Sequence, residues 1–263
     1  MIRSLALPAL MLVFSWVHPA AGQTPSPGKN FPQVRGKSQS VYFYPGRSEL
    51  RPATKPMVLF ACGDGGWRGM SVTMAETMAG WGYDTFGLDT KVYLESFTGK
   101  TVLTEAEIAA DLRGIAEWAR RDGKRPVILV GWSEGAGLAL LGVALAQGRE
   151  WIAGLVAIGL GERSLLAWRW YDAITWVTKK DPDEPMFASG PYMARVSPVP
   201  FLMLQSSGDQ YTPLNTVKQL FALAGEPKKF VLVEAKNHRF DGNRHTFFSQ
   251  LRTGLNWIEQ NQK

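Results

Sequence analysis

Residues Pro126 to Leu140, PVILVGWSEGAGLAL, constrain this chain more than any other stretch. Pro126-Val127-Ile128-Leu129-Val130 is apolar and rich in β-branched side chains, as a buried strand requires. The run breaks at Gly131-Trp132-Ser133-Glu134-Gly135 into an Ala/Leu-rich helical pattern. A serine at the apex of such a turn is pushed into a strained backbone geometry that exposes its hydroxyl. The glycines two residues either side let strand and helix approach closely. Alone, G-x-S-x-G is a weak pattern; between a strand and a helix it predicts Ser133 as a nucleophile. The competing reading is a small-residue turn needed only for packing.

The rest of the chain repeats the alternation. Short runs at Ser40–Tyr44, Met57–Ala61, Tyr83–Leu88, Ile152–Ile158, Pro200–Leu204 and Phe230–Val233 read as strands. Between them lie helical patterns. One covers 71–80, and another opens on the capping box Thr104-x-x-Glu107 and carries Ile108, Leu112, Ile115 and Trp118. A third holds Val217, Leu220 and Phe221, and a C-terminal one shows Phe248, Leu251, Leu255 and Ile258 on one face. Strands alternating with helices, several apolar on both faces, imply an α/β fold with a mostly parallel sheet covered on both sides. Segment 161–196 interrupts the pattern with Leu165, Leu166, Trp168, Trp170, Tyr171, Ile174 and Trp176. It reads either as an insertion whose aromatics complete the core or as a lid over a hydrophobic cleft.

The N-terminus stands apart. Arg3 precedes an apolar run from Leu5 to Val17, and Ala20-Ala21-Gly22 supplies small residues at the expected cleavage positions, so 1–22 reads as a secretory signal peptide. That predicts a periplasmic or secreted protein. A membrane anchor is the weaker alternative, because the run is shorter than the ~20 residues a span needs and Pro8 interrupts it. Residues 23–39 read as a flexible lead-in and 40–263 as one domain. Cys62 is the only cysteine, so no disulfide framework and no Cys/His zinc spacing is expected, and no metal or organic cofactor is implied. The formal charge of +6 suits contact with anionic lipids or acidic partners. Paired cations such as Arg120-Arg121 and Lys228-Lys229 read as solvated helix ends, and no basic, aromatic-interleaved motif points to nucleic acid.

A serine needs a base, and the base needs an orienting acid. His18 belongs to the N-terminal segment, leaving His238, directly after the last strand, and His245, which reads as structural. Asp209 in Ser207-Gly208-Asp209-Gln210 follows the strand ending at Leu204, at the carboxyl edge where parallel sheets gather their functional loops. Asp241 and Glu234 are the alternatives for the acid. Two backbone donors would stabilise an oxyanion. Glu134, next to the nucleophile, supplies one, and Asp64 or Gly65 in the glycine-rich loop after the Met57 strand supplies the other. Their carboxylates are given no acid–base work. Trp67, Trp132 and Trp168 are candidates for lining the substrate pocket, with core packing as the alternative; Cys62 reads as an inert buried thiol.

Taken together, the leader, Gly63-Asp64-Gly65-Gly66-Trp67, Gly131-x-Ser133-x-Gly135-Ala136, Gly208-Asp209 and Asn237-His238-x-Phe240 resemble the α/β-hydrolase superfamily. Within it the chain is similar to the VirJ/AcvB group of periplasmic bacterial virulence proteins. The resemblance covers about Val41 to Trp257 and implies an ester hydrolase with the order Ser133, Asp209, His238. It also implies an ester on the headgroup of an aminoacylated phospholipid as a substrate. A non-catalytic binding or secretion-accessory protein on the same scaffold is the reading from another class.

Overall fold

The structure is a computed structural model that describes residues 26–121, 125–178, 180 and 182–262. The segment 1–22 that reads as a signal peptide, with His18, lies outside the described residues. Chain order begins with three short strands, β1 (Gly28–Asn30), β2 (Gln33–Val34) and β3 (Lys37–Ser38), then β4 (Val41–Tyr44) and β5 (Met57–Ala61). Helix α1 (Met70–Gly80), β6 (Thr85–Leu88), α2 (Thr90–Phe97) and α3 (Glu105–Arg120) lead to β7 (Val127–Trp132) and α4 (Glu134–Ala144). Beyond them come β8 (Ile152–Ile158), β9 (Arg163–Leu165), α5 (Thr175–Thr178), β10 (Met186–Ala188) and α6 (Gly190–Met193). The chain closes with β11 (Phe201–Ser206), α7 (Leu214–Leu223), β12 (Lys228–Val233) and α8 (Arg244–Asn261).

Eight strands form the central sheet in the order β1-β4-β6-β5-β7-β8-β11-β12. Pairings from β6 to β12 are parallel, and β1 and β4 join antiparallel at one edge. The inner strands are buried on both faces, and alternation divides their side chains between two cores. Val58, Phe60, Ile128 and Val130 meet α1 and α8 through Met70, Met74, Met78, Leu251, Leu255 and Ile258. Met57, Leu59, Leu129 and Leu155 face α3, α4 and the 161–196 segment. Helix α3 starts at the expected capping box, with Thr104 Oγ1 accepting from the Glu107 N–H and the Glu107 carboxylate accepting from the Thr104 N–H.

Several expectations shift. The lead-in carries β1, whose residues pair with β4, so its described part extends the sheet rather than trailing free. Helix α2 has no counterpart in the sequence reading. Its cap is Asp89, which accepts the Val92 N–H at 3.3 Å. On α8 it is Phe247 that is fully buried, while Phe248 is half-buried beside it. Lys228 and Lys229 open edge strand β12 instead of ending a helix. Lys228 nevertheless serves a helix end, donating from Nζ to the carbonyls of Phe221 (3.1 Å) and Ala224 (2.6 Å) after α7. Among the described residues no helix is long and apolar enough to cross a membrane.

Candidate active site

Ser133 sits between β7 and α4 with φ 56° and ψ −124°, a conformation that costs about 1–3 kcal/mol for a residue with a Cβ. Its neighbours explain why the turn is so tight. A Cβ on Gly131 would lie 2.1 Å from the Gly135 carbonyl oxygen, and one on Gly135 would lie 2.1 Å from the Ala61 carbonyl oxygen. Strand, turn and helix therefore interlock through backbone, and β5 is pressed against the same turn. The Ser133 N–H donates to the Ile158 carbonyl at the end of β8 (2.9 Å), which pins the residue to the carboxyl edge of the sheet.

The loops after β11 and β12 bring the other two predicted residues to this edge. Asp209 and His238 meet at 2.6 Å, Oδ2 to Nδ1, with both side chains almost wholly buried. Asp209 Oδ2 also accepts from Gln205 Nε2 (2.9 Å), and Oδ1 accepts the Tyr211 N–H (2.9 Å). Burial alone would raise the Asp209 pKa. The hydrogen bond and charge of His238, with backbone donors Tyr211 and Thr212, outweigh it and hold the carboxyl below the ordinary carboxylate value. The sign follows from a folded-state pKa that is depressed: the stabilisation is complete above the unfolded pKa and is lost as pH falls through the folded one.

The imidazole is packed on several sides. Trp132 stacks on it with ring centroids 6.0 Å apart and Tyr211 meets it edge-on at 5.2 Å, while the backbone N–H of His238 donates to Gln210 Oε1 at 3.0 Å. Gly159, the residue after the carbonyl that holds Ser133, lies under the ring; a Cβ there would sit 2.5 Å from His238 Cε1. Sequence reading missed Gly159, Gln205, Gln210 and Tyr211. The available signal was a glycine directly after a buried strand and two polar residues flanking Asp209. With Nδ1 given to Asp209, Nε2 is the nitrogen left for proton transfer, and it has no hydrogen-bond partner among the described residues. His245 lies at the exposed start of α8, and Asp241 pairs with Arg244 and Asn237 instead of reaching the ring.

The glycine-rich loop after β5 reaches the nucleophile. A Cβ on Gly63 would lie 3.3 Å from the Ser133 Cβ, and the N–H groups of Asp64 and Gly65 donate to no acceptor among the described residues. Glu134 turns its carboxylate away from the chemistry to accept the Leu165 N–H of β9 at 2.9 Å. The three tryptophans divide. Trp132 flanks His238 as described. Trp67 lies flat over Gly87, stacks on Tyr42 at 4.9 Å and donates from Nε1 to the Tyr44 hydroxyl, so it packs the sheet edge. Trp168 is 1% exposed and belongs to the core, which corrects its placement as a pocket-lining residue. Cys62 is fully buried, and burial pushes its thiol up to about 12, in keeping with an inert group.

Comparison with solved structures fixes the fold. Est1E from Butyrivibrio proteoclasticus is 13% identical with a TM-score of 0.64, over 88% of this chain and 98% of that one. XC6422 from Xanthomonas campestris, described as an a/b serine hydrolase without lid, is 15% identical with a TM-score of 0.59 over 89% and 97%. A soluble variant of monoglyceride lipase from Saccharomyces cerevisiae is 13% identical with a TM-score of 0.61 over 94% and 99%. The chain has the α/β-hydrolase fold. Residues 55–148, which run from β5 through the nucleophile turn to the end of α4, match the family described as bacterial virulence protein (VirJ), which the chain resembles. No curated protein matches the sequence significantly.

Proposed function

We propose that the protein is a serine hydrolase of carboxylic esters. The observation that carries the reading is the buried 2.6 Å contact between Asp209 and His238 at the sheet edge that presents Ser133. Ser133 Oγ attacks the ester carbonyl while His238 Nε2 takes its proton; Asp209 holds the imidazole in that tautomer and stabilises the imidazolium. The N–H of Glu134 and that of Asp64 or Gly65 receive the oxyanion. His238 then returns the proton to the leaving alcohol, and water, activated by the same imidazole, releases the acid and regenerates Ser133.

Substrate and location extend the same reading. The N-terminal segment supports a periplasmic or secreted enzyme, and the resemblance to VirJ supports an ester on a phospholipid headgroup. A patch on segment 161–196 favours a substrate met at a lipid surface: Trp170 is 80%, Val177 79%, Ile174 62% and Tyr171 51% exposed. Interfacial Trp and Tyr beside aliphatic side chains suit the headgroup boundary of a membrane, and the basic chain suits anionic lipid.

Purified protein treated with a fluorophosphonate probe should label at Ser133. Ser133→Ala should lose both labelling and p-nitrophenyl acetate hydrolysis, kcat falling by about 10⁵–10⁶ with the melting temperature held. An unlabelled, inactive wild type would instead identify a non-catalytic binding protein on this scaffold.

A further inference from the structure

The loop after β5 is secured at both ends. Gly63 abuts Ser133, and the Gly66 N–H closes a turn onto the Gly63 carbonyl at 3.1 Å. On the far side the Trp67 N–H donates to Asp89 Oδ2 (3.3 Å), and Ser71 Oγ donates to the Gly66 carbonyl (3.4 Å). Asp64 and Gly65 form the apex, and these two residues carry the N–H groups assigned above to the oxyanion. Among the described residues, the one side-chain hydrogen bond at the apex comes from the other side of the active-site edge. Trp176 Nε1 donates to Asp64 Oδ2 at 2.6 Å.

Trp176 is well placed to hold that position. It stands on α5 of the 161–196 segment and stacks on Trp168, with centroids 5.9 Å apart and planes 22° from parallel. Trp168 is itself buried in the core and donates its N–H to Thr98 Oγ1 at 3.0 Å. The Arg68 guanidinium lies over the outer face of the Trp176 ring region at 5.5 Å from its centroid. A carboxylate accepting from an indole N–H is a charge-assisted bond, stronger than a neutral one, and the aspartate side chain is short, with two rotatable bonds between carboxylate and backbone.

We propose that Trp176 is a positioning residue for the oxyanion donors. Its indole N–H fixes the Asp64 carboxylate and thereby the orientation of the Asp64 and Gly65 peptide planes. The 161–196 segment then acts on the chemistry as well as on access to it. Preorganised donors matter because they must already point where the negative charge will develop, with no reorganisation left for the moment of reaction. The inference rests on the serine-hydrolase reading and adds to it a residue outside the Ser133, Asp209, His238 set.

Trp176→Phe tests it, since the ring and its stack on Trp168 are kept and only the donor is removed. With p-nitrophenyl acetate, kcat and kcat/KM should fall together by about 10–100-fold, below or near the loss for deleting one oxyanion donor, with KM changed less than about threefold. Inhibition by phenylboronic acid, whose tetrahedral adduct occupies the oxyanion site, should weaken by the same factor. Asp64→Asn keeps an acceptor oxygen and should retain most activity, whereas Asp64→Ala should match Trp176→Phe. The double variant Trp176→Phe/Asp64→Ala should be no worse than either alone. Unchanged kcat in Trp176→Phe, a loss confined to KM, or a loss that tracks a lowered melting temperature with boronate inhibition unaltered would each overturn the inference. If the wild type shows no Ser133-dependent hydrolysis, the serine-hydrolase reading falls and this inference with it. If wild type hydrolyses and Trp176→Phe does so equally well, the inference alone fails.

Discussion

The nucleophile turn and the 161–196 segment meet where Glu134 accepts the Leu165 N–H, and they are built on opposite principles. At the turn, geometry is set by backbone against backbone: β7 and α4 are buried along nearly their whole length, and the contacts of Gly131 and Gly135 are with carbonyl groups. The segment is made of short pieces, two three-residue strands, a 3-10 turn at Trp170–Ile174 and the single turns of α5 and α6. Side chains hold it to the domain. Glu134 takes the Leu165 N–H, Thr98 takes the Trp168 N–H and Asp64 takes the Trp176 indole. Backbone interlock leaves almost no sequence freedom, whereas side-chain fastening can be retuned one contact at a time. A fold with that division can keep one chemistry and change what is delivered to it.

The sharpest way to break the comparison is to put a side chain into the interlock. In Gly135→Ala the new Cβ would stand 2.1 Å from the Ala61 carbonyl oxygen and 2.4 Å from that of Cys62. Neither atom is the free end of a flexible group, so β5 or α4 has to move. We expect a loss of more than about 3 kcal/mol in urea unfolding, with fluorophosphonate labelling of Ser133 lost as well. A variant that unfolds and labels like wild type would show that the turn has slack and that backbone contacts do not set its geometry.

An intermediate effect should appear where the two regions join. Glu134→Ala leaves the part-buried Leu165 N–H without its acceptor and should cost about 1–3 kcal/mol. The oxyanion donor proposed at this position is a backbone N–H, which alanine keeps. Ester hydrolysis per folded molecule should therefore change much less than stability, a split that urea melts and kcat measured on the same preparation will reveal. Equal losses in both would mean that the segment and the turn are a single unit.

How far the sequence carries depends on which kind of contact is at stake. Runs such as Val127–Val130 and Ile152–Ile158 are apolar on both faces, a pattern that names a buried parallel strand without knowledge of its neighbours. Ser133, Asp209 and His238 could be singled out because each lies on the loop that leaves the carboxyl end of a strand, β7, β11 and β12 in turn, and the topology of a parallel sheet brings those ends together. Gly159 follows a strand too, yet its use is visible only when the His238 ring is seen lying on it. Helix α2 has eight residues and buries only Thr90, Tyr93 and Leu94, too few positions to set a helical period. Trp168 and Trp176 belong to one aromatic segment and are indistinguishable by type. Which of them is core and which reaches Asp64 is decided by contacts 70 and 112 residues away along the chain.

The smallest effect belongs to the outer face of the segment. Val177 is 79% exposed and Trp170 80% exposed, and neither lies in a core cluster. Replacing an exposed apolar side chain with a polar one removes little burial, so Val177→Ser should shift unfolding by no more than about 0.5 kcal/mol and leave hydrolysis of p-nitrophenyl acetate as it is. Its effect should surface only with a lipid present. A valine methyl pair buried at a headgroup boundary contributes on the order of 1 kcal/mol, so partition onto vesicles containing phosphatidylglycerol should weaken about fivefold. Wild-type protein that fails to sediment with such vesicles removes the lipid-surface reading and leaves the ridge as plain solvent-facing structure. A Val177→Ser variant that loses stability by several kcal/mol would instead mean that the ridge is packed against something, and that the segment is less independent of the core than its short, side-chain-fastened elements imply.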